Sequence, residues 1–179
     1  MKAIALGSLL LASSFSMAAD YKIDEAHSSV VFQIGHLGVS TTIGRFDEFE
    51  GTFSMDEGLQ NVTTEVTVKT DSVNTNHEAR DKHLRSPDFL DVKQFPHMSF
   101  KSTSFKNNVL TGDLTLHGQT KTVAFDVEQV GEGKDPWGGY RAGFTATSKI
   151  KRSDFGVTYF IPGVTDDTEI QIFIEGIRL

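Results

Sequence analysis

Residues 62–69 read Val-Thr-Thr-Glu-Val-Thr-Val-Lys, and this stretch shows most clearly the pattern that decides the fold. Val62, Val66 and Val68 share one phase of a two-residue repeat, whereas threonine, glutamate and lysine fill the other phase. A period of two belongs to a β-strand, whose successive side chains point to opposite faces. The stretch therefore predicts a strand with one apolar face and one face in water.

The same alternation recurs along the chain, often with phenylalanine in the apolar phase. Of the 14 phenylalanines, 13 lie beyond residue 20, in runs such as Val30–Ile34 and Met98–Lys101. Asn107-Asn108 and His117–Thr120 are typical of tight turns between neighbouring antiparallel strands. Eight strands are predicted, over residues 27–35, 43–55, 61–71, 97–106, 109–117, 121–130, 139–151 and 168–178.

An all-β chain of this kind forms either a sandwich or an up-and-down barrel. Eight strands with mostly local connections favour the antiparallel barrel, which at this size is either filled by side chains or holds one small ligand. The phenylalanine-rich inner face suits a hydrocarbon chain, and it suits an ordinary packed core equally well. From the residues alone both interpretations stay open.

One stretch breaks the strand pattern, since residues 76–85 are nearly all polar, with Glu78 and Lys82 four positions apart. This spacing predicts a short surface helix that ends before Pro87. Asn74, Thr75 or Asn76 is the expected N-cap, and a second helical turn is expected at residues 88–92.

The first 18 residues have the features of a secretory signal peptide. Lys2 is followed by a mainly apolar stretch, from Ala3 to Phe15, that is too short to span a bilayer. Ser16 and Ala18 provide small residues at the −3 and −1 positions of a cleavage site after Ala18. We expect export and a mature chain of one domain, residues 19–179, with no integral membrane segment.

Composition excludes several classes of function. The chain has no cysteine, which argues against thiol catalysis and cysteine metal sites. Removal of Lys2 leaves 16 Lys plus Arg against 24 Asp plus Glu, a net charge of −8. This acidity disfavours binding to nucleic acid and to anionic lipid surfaces.

The residues that could carry chemistry form no recognisable catalytic or metal motif. His77 and His83 are six positions apart, so they lie on nearly opposite faces of a helix, and no metal site is predicted. There is no nucleophile elbow, P-loop or dinucleotide fingerprint, so no catalytic residue is assigned and an enzyme is not expected. His36 ends an apolar strand, and Arg80 and His83 could supply donors at a cavity mouth, although such groups are also ordinary surface residues.

Taken in order, a series of motifs across the mature chain resembles the YceI-like family of exported bacterial polyisoprenoid-binding proteins. They comprise Tyr21–Asp24, His36–Gly38, Gly44–Phe46, Phe49–Phe53, Asp71–Asn76, Arg80–Ser86, Asp88–Leu90, Gly112–Leu116, Asp135–Gly139 and Arg141–Phe144. The resemblance implies an extended, eight-stranded, lipocalin-like antiparallel barrel with one or two short surface helices. It also implies that the interior is a lipid-binding lumen. The main departure follows Ser153, where residues 155–163 are rich in aromatic side chains.

On this resemblance, the expected function is periplasmic binding of a polyprenyl lipid, quinone or fatty acid derivative for transport, storage or sequestration. The expected lumen residues are Phe32, Ile34, Phe49, Phe53, Val66, Val68, Met98, Phe100, Leu114, Phe125, Phe144 and Ile172. Candidate residues for the head group or mouth are His36, Arg80, His83, Trp137, Phe155 and Tyr159. No cofactor is expected apart from the bound lipid, and a homodimer is left open. The alternatives are an enzyme acting on such a lipid and a filled barrel that acts through protein partners.

Overall fold

The computed structural model describes residues 18–179, which form one antiparallel sheet of eleven strand segments. The signal sequence predicted for residues 1–18 lies outside this range except for Ala18. The segments are β1 (Ala19–Ile23), β2 (Ser29–His36), β3 (Ser40–Phe46), β4 (Phe49–Met55), β5 (Val62–Lys69), β6 (Val73–Asn74), β7 (His97–Lys106), β8 (Val109–Leu116), β9 (Gln119–Lys134), β10 (Tyr140–Lys151) and β11 (Val164–Arg178).

In three cases two consecutive segments form one interrupted strand. The eleven segments therefore make up eight strands of the barrel. β1 and β2 both pair with β11, on either side of a 3₁₀ turn at Glu25–His27. In the same way β3 continues into β4, and β5 continues through a 3₁₀ turn into β6. Pairing of β11 with β1 and β2 closes the sheet, which confirms the predicted eight-stranded antiparallel barrel. The sequence prediction missed β1 and the first residues of β3.

The tight turns follow from residues that tolerate positive φ angles. Asn107 and Asn108 have φ of 52° and 61°, and they join Lys106 directly to its partner Val109. Positive φ at both central residues is the type I′ geometry, whose twist matches that of the strands. His117 and Gly118, with φ of 50° and 72°, form the next two-residue turn. It is shorter than the predicted turn at residues 117–120.

The single α-helix among the described residues is α1 (Glu78–Leu84), a surface helix within the long connection from β6 to β7. Its N-cap is His77, whose Nδ1 accepts a hydrogen bond from the Arg80 backbone N–H at 3.2 Å, and the expected caps 74–76 are wrong. Residues 88–92 form turns and no second helix. Buried Asp81 anchors α1 by accepting hydrogen bonds from the backbone and the hydroxyl of Thr75.

The alternating up-and-down order gives the barrel two different ends. The end that we call the hairpin end carries the turns at 56–61, 107–108 and 135–139. The end that we call the helical end carries the turns at 37–39 and 117–118, the α1 connection at 75–96, and the β10–β11 connection at 152–163, which begins with a 3₁₀ turn (Arg152–Phe155). Within residues 18–179, no helix is both long and apolar enough to cross a membrane.

Candidate functional site

The barrel interior contains a cavity of about 250 Å³ that is lined almost entirely by apolar side chains. Close-packed protein cores contain few voids larger than one water molecule, so this space is not an ordinary packed core. Its walls come from the inward phase of the strands, and its helical end is bounded by Leu84, Phe89, Leu90 and Val157. The structure therefore favours an open lumen over a filled barrel.

Most of the residues expected in the lumen do line this cavity. They are Phe32, Ile34, Phe53, Val66, Val68, Met98, Phe100, Leu114, Phe125, Phe144 and Ile172. Phe49 is buried in the core but does not border the cavity. A two-residue break at 47–48 separates β3 from β4, and Phe46, on the other side of that break, lines the cavity.

Two groups stand out among the lumen residues that sequence reasoning missed. Ile150, Ala146 and Val127 continue the inward phase of strands already predicted, so extending each alternation would have found them. The residues at the helical end lie in α1 and in irregular segments. No periodic pattern marks them there, and only the tertiary structure brings them against the cavity.

The length of the barrel suits an elongated ligand. β10 has 12 residues, which span about 40 Å at roughly 3.3 Å per residue. A strand tilt of roughly 35–45° reduces this to about 30 Å along the barrel axis. Towards the hairpin end, Tyr21 stacks on Phe53 with ring centroids 4.8 Å apart, and Phe144 meets Phe53 edge-on at 5.5 Å. These rings pack one side of the interior, and burial raises the pKa of the Tyr21 hydroxyl.

At the helical end, a cluster of three rings joins α1 to the β10–β11 connection. His83, Phe89 and Tyr159 make mutual edge-on contacts, with centroids 5.1 to 5.4 Å apart. Phe89 is buried and borders the cavity, whereas Tyr159 is 45% exposed. His83 Nε2 also pairs with Asp88 at 2.9 Å. The cluster thus reaches from the cavity wall to the surface.

Arg152 lies beside this cluster and is the one charged residue among those that line the cavity. It is 5% exposed, and its guanidinium donates to the backbone carbonyls of Val157, Tyr159, Val164 and Thr165, each at 2.9 Å. Burial lowers the pKa of Arg152. These four bonds hold the β10–β11 connection in place over the end of the lumen.

The candidate head-group and mouth residues do not form one cluster. His36, Arg80, His83 and Tyr159 lie at the helical end, whereas Trp137 lies at the hairpin end and is 81% exposed. Phe155 is 1% exposed and belongs to the packed core. Arg80 donates from Nε to the Thr75 hydroxyl and from its Nη2 to the Thr75 carbonyl, so it helps to hold α1. His36 is half-buried at the end of β2, opposite Ser40 and Val164.

A cluster of acidic residues with a histidine lies outside the lumen, where β1, β10 and β11 meet. The ligand atoms of Asp24, His27 and Glu175 all lie within 4.8 Å of one another. Arg141 bonds to Asp24 at 2.6 Å, to Glu175 at 2.5 Å and to Asp135 at 3.0 Å, so a guanidinium already supplies the positive charge. The bond from Arg141, followed by that from His27, lowers the pKa of Asp24. The arrangement is that of a structural ion-pair network.

Comparisons with known proteins agree with this geometry. A UPF0312 protein of Pseudomonas aeruginosa (strain LESB58) is 45% identical over 185 residues, covering 99% of this chain and 97% of that protein. The crystal structure of a Campylobacter jejuni YceI protein has a TM-score of 0.72 and 32% identity, covering 80% of this chain and 88% of that one.

A third protein shares the fold at low sequence identity. A domain from Saccharophagus degradans, described as polyisoprenoid binding and implicated in plant cell wall breakdown, has a TM-score of 0.67 at 13% identity. The match covers 89% of this chain and 98% of that one. The YceI-like domain matches residues 21–176, which include nearly all of the barrel from β1 to β11. The chain therefore belongs to the YceI-like domain family.

Proposed function

We propose that this protein binds a long isoprenoid, or an amphiphile of similar length such as a quinone or fatty acid derivative, with the tail inside the barrel. The observation that carries the proposal is an apolar cavity inside a barrel about 30 Å long. The polyisoprenoid-binding description of the domain from S. degradans, which shares the fold, supports the same class of ligand.

Tight binding in an apolar cavity requires a long tail, because the transfer free energy of the tail must exceed the free-energy cost of association. Each buried CH₂ group contributes about 0.8 kcal/mol, whereas association costs at least about 4 kcal/mol. A tail of about five groups would therefore gain nothing net. A tail of about 20 groups has about 16 kcal/mol of gross transfer free energy, enough for submicromolar binding after that cost. The lumen thus favours long chains without any specific contact to the tail.

We further propose the helical end as the route of uptake. Its loops expose apolar side chains that are unusual on a surface, namely Leu37, Val39, Tyr159, Phe160 and Ile161. The two loops that carry them are joined by a hydrogen bond from the Leu37 N–H to the Gly163 carbonyl at 2.6 Å. Displacement of Tyr159 from its contacts with His83 and Phe89 would open a path from this surface to the cavity.

We propose that the protein acts in the periplasm, which it reaches by export and cleavage after Ala18. Its proposed role is to transport or sequester the lipid without changing it chemically. N-terminal sequencing of the protein purified from its native compartment should begin at Ala19. Light scattering of the same sample would decide between a monomer and a homodimer, a choice that the sequence leaves open.

Native mass spectrometry of that sample, followed by extraction of the bound species, tests the binding function. A stoichiometric isoprenoid or fatty adduct is the expected result. A protein that is empty as isolated and also takes up no polyprenyl alcohol would contradict the proposal and favour action through its surface. Chemical change of an added lipid would point instead to an enzyme.

A further inference from the structure

Almost all of the surface that faces the cavity is apolar, and four of the residues that border it carry polar groups. Arg152 is the one charged lining residue, and the polar lining residues are Thr64, Ser99 and Thr168. Thr64 Oγ1 already donates to the Thr52 carbonyl at 2.9 Å. Thr168 lies opposite Ile150, two residues before Arg152, so Thr168 and Arg152 belong to the same end of the lumen.

The charge of Arg152 has no ionic partner within residues 18–179. Its four hydrogen bonds all go to neutral backbone carbonyls, and no carboxylate lies within 4.0 Å of it. Asp166 is near but accepts instead from the backbone N–H and the hydroxyl of Ser153, which lower the pKa of Asp166. A guanidinium has five N–H donors, so one of them is left over.

Thr168 adds a second unmet donor. Its Oγ1 is buried and has no hydrogen-bond partner in the described part of the chain. A buried hydroxyl without a partner is costly, and rotation about χ1 would exchange its methyl and hydroxyl groups and turn the donor towards the lumen. A buried cation without a counter-ion is more costly still, and the low dielectric around it strengthens its attraction for an anion.

We propose that Arg152 and Thr168 form a head-group subsite that selects amphiphiles with an anionic oxygen, carboxylate or phosphate, in the head. The inference rests on the proposed lipid-binding function, since it requires a tail in the lumen. The head lies at the helical end and the tail extends towards the hairpin end. Arg152 then both holds the β10–β11 connection and binds the ligand.

The first test compares ligands on the unmodified protein, because it does not depend on the folding of a variant. Delipidated protein is titrated with hexadecanol, hexadecanoic acid and hexadecyl phosphate at pH 8. Since hydrogen bonds between charged groups are about twice as strong as neutral ones, the two anions should bind at least about 10-fold more tightly than the alcohol. The ratio of the affinities for hexadecanoic acid and hexadecyl phosphate then shows whether the subsite prefers a carboxylate or a phosphate.

The possible results separate this inference from the function on which it rests. Equal affinity for all three ligands would overturn the head-group subsite and leave lumen binding intact. Failure of all three to bind, together with failure of geranylgeraniol and geranylgeranyl phosphate, would overturn the binding function as well.

Variants then locate the subsite. Arg152→Gln should reduce the ratio of anion affinity to alcohol affinity to about 1, and this ratio is the measured quantity because the variant also loses hydrogen bonds to the β10–β11 connection. Lys151→Gln removes an exposed charge from the adjacent outward position and is the matched control, which should keep the preference. If both variants lost the preference for anions, the cause would be the net charge of the protein, and the assignment of Arg152 to the subsite would be wrong.

Thr168→Val covers the case in which Arg152→Gln fails to fold. It keeps the shape of the side chain and should weaken anion binding about 3- to 10-fold without lowering the unfolding midpoint. Unchanged anion affinity in this variant would remove the Thr168 hydroxyl from the subsite.

Discussion

Filling the lumen from inside should raise stability and abolish tight ligand binding at the same time. Ala146 lies mid-strand in β10, opposite Val127 and Ile172, and lines the cavity. In Ala146→Phe the added ring occupies part of a space of about 250 Å³. Because filling a cavity commonly adds about 0.5–2 kcal/mol, the ligand-free variant should unfold at higher denaturant than the parent protein.

The same ring should weaken binding by an amount set by what it displaces. If it excludes about four CH₂ groups of the tail, about 3 kcal/mol of transfer free energy is lost, and the Kd rises about 100-fold. The assay is titration of delipidated protein with geranylgeraniol, alongside urea unfolding of the same sample. Opposite changes in stability and affinity are the signature of an open lumen.

The matched control is Thr147→Phe, which places the same ring on the exposed outer face of the same strand. It should leave the affinity within about 2-fold of the parent protein, since the outer face does not border the cavity. If Ala146→Phe instead destabilised the protein by about 1–3 kcal/mol, as overpacking does, and still bound lipid, the cavity would not be the binding site.

Two further changes test the physical account of the fold. Gly112→Ala should destabilise the barrel by about 1–3 kcal/mol in urea unfolding, because the new Cβ would clash with the Lys101 carbonyl oxygen; a neutral result would show that β8 shifts freely. Asp24→Asn should lower stability at pH 7. Because Arg141 lowers the pKa of Asp24, its carboxylate contributes stability above its unfolded pKa of about 3.9 and loses that contribution as pH falls through the lower folded value. The difference between variant and parent should therefore shrink as the pH falls below about 3.9, and a difference that does not shrink with falling pH would indicate a cause other than ionisation.

The inward face of the barrel was predictable because alternation is a local property. Phe100 and Leu114 are apolar residues in the inward phase of their strands, and the structure pairs them directly across β7 and β8. Phe49 shows the limit of this reasoning, since it shares the inward phase of β4 with Phe53 and is buried in the core, yet it does not border the cavity. Which part of the inward face borders the cavity depends on how side chains from distant strands pack together, and local periodicity does not record that packing.

Local patterns in the sequence are enough to predict most of the strands, the all-β class and the apolar character of the inward face, because each depends on neighbours along the chain. That the interior is open and that Arg152 borders it follow from the tertiary structure alone. Arg141 and Asp24, bonded across 117 positions, show why. The burial and charge environment of such side chains depend on contacts between distant segments, and no local pattern in the sequence encodes those contacts.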